Sequence, residues 1–208
     1  GYMKFIQNIK DDIQVVFKKD PAAKTTLEIL TCYPGLHAIW LHRIAHKFWN
    51  NKHFLTARII SNISRTITNI EIHPAAIIGN NVFIDHGSGV VIGETSEIGD
   101  NCLMYQGVVL GGISHNTGKR HPTLGKNVVV GAGAILLGPI NVGDNSRIGA
   151  GSVLLKDVKS NTTVVGVPAN ETRNCSDDLN HSEIGDPVYE KISKLENRIR
   201  ILEQQTNR

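Results

Sequence analysis

From residue 72 onward the chain counts in sixes. Aliphatic residues stand at Ile72, Ile78 and Ile84, then at Ile92, Ile98, Met104 and Leu110, then at Leu124, Val130, Leu136, Val142, Ile148 and Leu154. Glycine follows many of them, as in Ile78-Gly79, Ile98-Gly99, Val130-Gly131 and Ile148-Gly149. A fixed internal period marks a repeat architecture, and a hexapeptide period predicts a parallel β-helix. Each unit makes one flat side and one corner, and three sides close a triangular coil of about eighteen residues. The aliphatic residue points inward and stacks on its counterpart in the next coil. Gly, Asn and Asp turn the corners, where a positive φ is often needed.

Two intervals break the count. Ile84 and Ile92 are eight apart, across the stretch FIDHGSGVVIGE at 83–94. Leu110 and Leu124 are fourteen apart, across GGISHNTGKRHPT at 111–123. A solenoid core accepts extra residues only as outward loops, and loops on a rigid scaffold are where sites are usually built.

Before the repeats the pattern is helical. Phe5, Ile6, Ile9, Ile13, Val16 and Phe17 share one helical face. Asp20-Pro21 reads as a break and restart, with Asp20 as N-cap and Pro21 at the first helical position. Tyr33-Pro34-Gly35 is a second break. Residues 36–50 carry Leu36, Ile39, Trp40, Ile44, Phe48 and Trp49, and 54–68 form a further helix. After the repeats, Val188, Ile192, Leu195, Ile199 and Leu202 follow the alternating 4, 3 spacing of a coiled-coil seam. The expected organisation is mainly β with α. A helical domain occupies 1–70, the β-helix 71–170 and a tail with a coiled coil 171–208.

Composition narrows the function. A hydrophobic content of 40% can build a core, and no apolar run is long enough to cross a bilayer. The N-terminus lacks a signal-peptide layout. Cys32, Cys102 and Cys175 are odd in number and far apart, which argues against a disulfide framework and fits a reducing cytoplasm. The net charge of +3 is too mild and too dispersed to imply nucleic acid, though it can help hold a small anion.

The histidines are the candidate chemistry. His42 and His46 are one helical turn apart, but Arg43 stands where zinc peptidases place Glu, so no metal site is expected there. His86 follows Asp85 in the first interruption, with Gly87, Ser88 and Gly89 leaving room for a ligand. Glu71 lies fifteen residues earlier, slightly less than one coil. Its carboxylate either lies near the imidazole, fixing the tautomer as a general base needs, or is solvated at the junction with the helices. Arg120-His121 offers a cation and a ring together, suited to a carboxylate, or else forms an exposed basic loop with Lys119.

These residues sit in a recognisable set: DPAA at 20–23, GLHAIWLHRIAHKFW at 35–49, EIHPAAIIG at 71–79, DHGSGVVIGET at 85–95, QGVVLGG at 106–112, KRHPTLG at 119–125 and IGAGSVLLKDV at 148–158. In order and spacing the set resembles the serine O-acetyltransferases over about residues 4–170. The resemblance implies a left-handed parallel β-helix carrying an N-terminal helical domain. It implies acetyl transfer from acetyl-CoA to the L-serine hydroxyl, the first step of cysteine biosynthesis, by direct transfer in a ternary complex. His86 matches the general base. Glu71 matches its acidic partner, where the family has Asp. Asp20 and Asp85 match the residues holding the substrate ammonium, and Arg120 and His121 those near its carboxylate. Acetyl-CoA is a co-substrate in a groove between two solenoids at Gly112, Ala132 and Ala150, with no permanent cofactor and no metal. That groove implies a homotrimer, or a dimer of trimers. Cysteine, which shares serine's charged ends, is the expected feedback inhibitor. The chain ends EQQTNR without the terminal Ile by which many members bind O-acetylserine sulfhydrylase, so tight binding of that partner by this mode is not expected. The rival expectations are a sugar acceptor, a γ-carbonic anhydrase with zinc on His86, His115 and His121, and a non-catalytic scaffold.

Overall fold

The structure is a computed structural model describing residues 2–114, 116–172 and 198–200. The coiled-coil seam lies outside the described residues except for Ile199, and so does His115.

Fifteen short strands among the described residues, numbered in chain order, wind into three flat faces. The first face holds β1 (Glu71–Ile72), β4 (Val91–Ile92), β7 (Val109–Gly111), β10 (Ile135–Leu137) and β13 (Val153–Leu154). The second holds β2 (Ile77–Ile78), β5 (Glu97–Ile98), β8 (Thr123–Leu124) and β11 (Asn141–Val142). The third holds β3 (Phe83–Ile84), β6 (Leu103–Met104), β9 (Val129–Val130), β12 (Arg147–Ile148) and β14 (Thr163–Val165), closed by antiparallel β15 (Asn170–Glu171). Strands three apart in the chain pair in parallel within each face, except that β14 pairs with β12, the geometry of a triangular solenoid.

The register runs the hexapeptide series into three internal columns. Ile72, Ile92, Leu110, Leu136 and Leu154 are successive partners on the first face. Ile78, Ile98, Leu124 and Val142 stack on the second, and Ile84, Met104, Val130, Ile148 and Val164 on the third. Nearly all of these side chains are buried in one cluster. One corner is turned by Asn81, Asn101, Asn127, Asn145 and Asn161, all at positive φ, where Asn is among the least strained non-glycine residues. Their amides bond from coil to coil, as in Asn127 Nδ2 to Asn145 Oδ1 at 2.9 Å.

Four helices precede the strands: α1 (Tyr2–Lys19), α2 (Thr26–Cys32), α3 (Pro34–Asn50) and α4 (Phe54–Thr68). Ala38 and Ile39 of α3 join the internal cluster of the solenoid and cover its open end. Ile13, Val16, Ile29 and Leu36 bury Phe83, the outward residue of β3. The buried Asp12 carboxylate on α1 receives Arg43 Nη2 at 2.9 Å and Trp40 Nε1 at 2.8 Å, tying α1 to α3. Lys19 donates to the Asn101 carbonyl at 2.8 Å, fastening the end of α1 to the third face.

The expected N-cap role of Asp20 is corrected. Thr25 caps α2 in a capping box with Glu28, because that pair satisfies both orphan ends at once. Asp20 instead sits in the preceding turn and accepts the Ala22 N–H at 2.8 Å.

Candidate active site

The first interruption is a corner between the third and first faces. Ile72 and Ile92 are adjacent partners although twenty positions apart, so this coil is longer than the eighteen separating Ile92 from Leu110. The surplus forms the bend Asp85-His86-Gly87. His86 adopts φ +58 and is exposed on the single chain. Gly87 has φ +73, and a Cβ there would meet Ile70 Cδ1 at 2.4 Å, so only glycine lets the bend close on the solenoid. Gly89 N–H donates to the Asn69 carbonyl at 2.9 Å, anchoring the bend to the left-handed cap of α4.

Two carboxylates, Asp85 next to His86 in the chain and Asp20 from the helical segment, act on the same two phenols, Tyr33 and Tyr105. Asp85 follows β3, and its N–H bonds the Met104 carbonyl, which sets it alongside Tyr105 on the next coil. Asp20 is held by the Tyr33 phenol, whose O–H donates to Asp20 Oδ2 at 2.5 Å. Burial raises the pKa of both phenols, and the charges of Asp20 and Asp85 raise it further. Glu71 is oriented outward on β1, and its carboxylate pairs with Arg65 Nε at 3.3 Å. Among the described residues it makes no hydrogen bond to His86.

The second interruption returns to the solenoid at the corner between the first and second faces. Arg120 Nη2 donates to Glu94 Oε2, and this pairing lowers the Glu94 pKa. Thr95 organises the rest. Its hydroxyl oxygen accepts the N–H groups of Arg120 and His121, both at 3.0 Å, and its own N–H donates to His121 Nδ1 at 3.2 Å. The proton of a neutral His121 ring is thereby left on Nε2. Burial, then the Arg120 charge, lowers the His121 pKa. The ring lies where a Cβ on Gly93 would stand, 1.9 Å from its Cδ2. A cleft of about 340 Å³ opens here, lined by Glu94, Thr95, Arg120 and the loop residues Ser114, Asn116, Thr117 and Gly118. The support from Glu94 and Thr95 follows directly after the eight-residue interval, and that proximity was the available sequence signal for it. Thr95 was missed.

The two groups occupy opposite edges of the first face. From Gly89 to Glu94 the chain runs the full width of that face, roughly 16 Å over five extended residues. Ala132 and Ala150 lie on the same edge as His86, joined by the Gly151 N–H to the Ala132 carbonyl at 2.8 Å. Gly112 lies on the other edge, where a Cβ would be 3.2 Å from His121 Nε2. One chain therefore does not bring all the proposed site residues together. Among the described residues no group of three or more His, Cys, Asp or Glu side chains could hold a metal ion.

The three-faced hexapeptide solenoid, with His86 at one corner of its first face and Arg120 and His121 at the other, places the chain among the hexapeptide-repeat proteins. The bacterial transferase hexapeptide family (six repeats) matches residues 121–156. The chain is 50% identical over 200 residues to the serine acetyltransferase of Staphylococcus xylosus, covering 94% of this chain and 93% of that protein. Its structure is similar to the Neisseria gonorrhoeae serine acetyltransferase in complex with serine, with TM-score 0.78, 38% identity and coverage of 82% and 69% of the two chains. It is also similar to the Brucella abortus serine acetyltransferase in complex with coenzyme A, with TM-score 0.80, 40% identity and coverage of 83% and 69%. The chain belongs to the serine acetyltransferase family.

Proposed function

We propose that the protein transfers the acetyl group of acetyl-CoA to the L-serine hydroxyl, giving O-acetylserine and CoA for cysteine biosynthesis. The observation that carries this is the placement of complementary charges on opposite edges of one face. Asp20 and Asp85 suit an ammonium, and Arg120 with His121 suits a carboxylate. A symmetric neighbour would set one chain's first edge against the next chain's second edge, enclosing both ends of an amino acid. A sugar acceptor has no use for both charges.

His86 is the general base. It takes the hydroxyl proton as serine Oγ attacks the thioester carbon, and the thiolate of CoA leaves. No acyl-enzyme is needed, so transfer is direct in a ternary complex. Glu71 is its acidic partner. The Glu71–Arg65 pair is solvent-exposed, and such pairs are worth about 0–1 kcal/mol, little enough to be exchanged when the site assembles. Acetyl-CoA lies along the small residues Ala132 and Ala150 of one chain and Gly112 of the next, whose low bulk lets the pantetheine arm approach the backbone. It is a co-substrate, with no resident cofactor or metal.

The solenoid winds left-handed, with the helical domain at 1–70, the β-helix at 71–170 and the tail at 171–208. The assembly is a homotrimer, or a dimer of trimers joined through the exposed α4 stripe of Leu55, Ile59, Ile63 and Ile67. Sedimentation distinguishes the two. Cysteine occupies the serine site as a competitive inhibitor. The protein works in the cytoplasm; among the described residues no helix is long and apolar enough to cross a membrane.

Thiol release from acetyl-CoA tests the proposal. L-serine should support it and other hydroxyl compounds should not. His86→Ala should lower the rate by about 10²-fold or more. Equal turnover in that variant would remove His86 from the chemistry.

A further inference from the structure

We infer that Tyr33 is a positioning residue of the amine-binding pocket: its phenol holds the Asp20 carboxylate beside Asp85, so that recognition of the substrate ammonium depends on it. The inference rests on the proposed serine acetyltransferase activity and goes beyond it.

The Tyr33-Pro34-Gly35 break is a docking device. Proline restricts the residue before it to extended conformations, and Tyr33 has φ −106 and ψ 89, outside the helix on either side. Pro34 starts α3. Gly35 then meets the Ile84 carbonyl so closely that a Cβ would lie 2.0 Å from the oxygen. The segment is thus pressed against the residue immediately before Asp85-His86. From there the Tyr33 ring reaches back thirteen positions, and its O–H donates to Asp20 Oδ2 at 2.5 Å. The other oxygen, Oδ1, accepts the Ala22 N–H at 2.8 Å. Each carboxylate oxygen is therefore oriented by one donor.

Both donors are neutral, and that matters. A carboxylate has about four acceptor sites, and two remain for a ligand. Had Lys or Arg held Asp20, its charge would already be matched. Among the described residues neither Asp20 nor Asp85 makes an ion pair. Tyr105, on the coil below Asp85, adds a second neutral phenol to the same wall. The pocket is an oriented Asp20 carboxylate and a second negative charge, Asp85, beside two neutral phenols, which fits one ammonium. Tyr33 and Asp20 both belong to the helical segment whereas Asp85 belongs to the solenoid, so the seat of Gly35 on Ile84 is what brings the phenol-held carboxylate up to the solenoid.

The test is Tyr33→Phe, which removes one oxygen and keeps the ring. The Michaelis constant for L-serine should rise about tenfold, the equivalent of about 1.4 kcal/mol, with the constant for acetyl-CoA and the melting temperature unchanged. As an inhibitor competing with serine, 3-hydroxypropanoate, which lacks the ammonium, should bind wild type and variant with the same inhibition constant. On an Asp20→Asn background the same change should add nothing. An unchanged serine constant, an equal rise on the Asp20→Asn background, or a parallel loss for serine, acetyl-CoA and thermal stability would each overturn the inference. Failure of wild-type protein to release thiol with serine would instead overturn the activity itself.

Discussion

Gly35 of α3 rests on the carbonyl of Ile84 in β3, and a side-chain carbon at Gly35 would lie 2.0 Å from that oxygen. The helices and the solenoid meet there without a spacer, one residue before Asp85. Gly35→Ala should push α3 away from the face. The expected cost is that of overpacking, about 1–3 kcal/mol, seen as a lower melting temperature. The Michaelis constant for serine should rise as well, because Asp20 and Asp85 would no longer face one ligand. An unaltered melting curve would show that the contact relaxes freely.

The two-edge geometry predicts complementation. His86→Ala damages one edge and Arg120→Ala the other, and each variant alone should be nearly inactive. When the two are unfolded and refolded together in equal amounts, some sites combine the intact edge of each chain. Random mixing in a ring should restore about one quarter of wild-type activity. No recovery in demonstrably mixed trimers would place the whole site within one chain.

Thr95 secures the loop that carries Arg120 and His121. Thr95→Val keeps the shape and deletes the hydroxyl, leaving two N–H groups without their acceptor. These donors are partly buried, and leaving such groups unsatisfied costs up to about 1–3 kcal/mol each, so kcat/KM for serine should fall about tenfold. Thr95→Ser retains the oxygen and should remain close to wild type. Equal loss in both variants would assign the effect to packing of the methyl group.

His42 gives an acid limb to stability. Its pKa is lowered to about 3, first by burial and then by His46, with Arg43 and His73 acting in the same direction and the Ala76 backbone opposing. The ring of an unfolded chain titrates near 6.5. Between about pH 6.5 and pH 3 the unfolded state takes up a proton that the folded state refuses. This contribution is complete above that window and is lost progressively as the pH falls through it, by up to about 1.4 kcal/mol per pH unit. Melting curves from pH 7 to 4 should therefore decline less steeply for His42→Leu than for wild type. Identical slopes would exclude His42 as the source.

Much of the scaffold was legible because its information is local and repeated. The spacing Ile92, Ile98, Met104, Leu110 assigns successive residues to successive faces, and every coil restates the rule. The interruptions were legible for the same reason, since a departure from a strict count must leave the wall. Side-chain partners were harder to see. Asp20 looked like a helix cap because Asp before Pro commonly is one, but Thr25 and Glu28 offered a reciprocal pair and won. Coil arithmetic leaves Glu71 either beside His86 or solvated at the helix junction, and Arg65 in the last turn of α4 pairs with its carboxylate in the isolated chain.

What the sequence determined by itself is the solenoid period, the inward columns and the two places where the wall opens. These follow from a six-residue rhythm in which each residue's environment depends on its position in the count. Tertiary structure alone decided that Tyr33 reaches Asp20, that Glu94 meets Arg120 across 26 positions, and that the acids and the cation stand on opposite edges of one face. Those contacts depend on how coils close and where helices dock, and hydrophobic periodicity does not encode the orientation of a polar side chain.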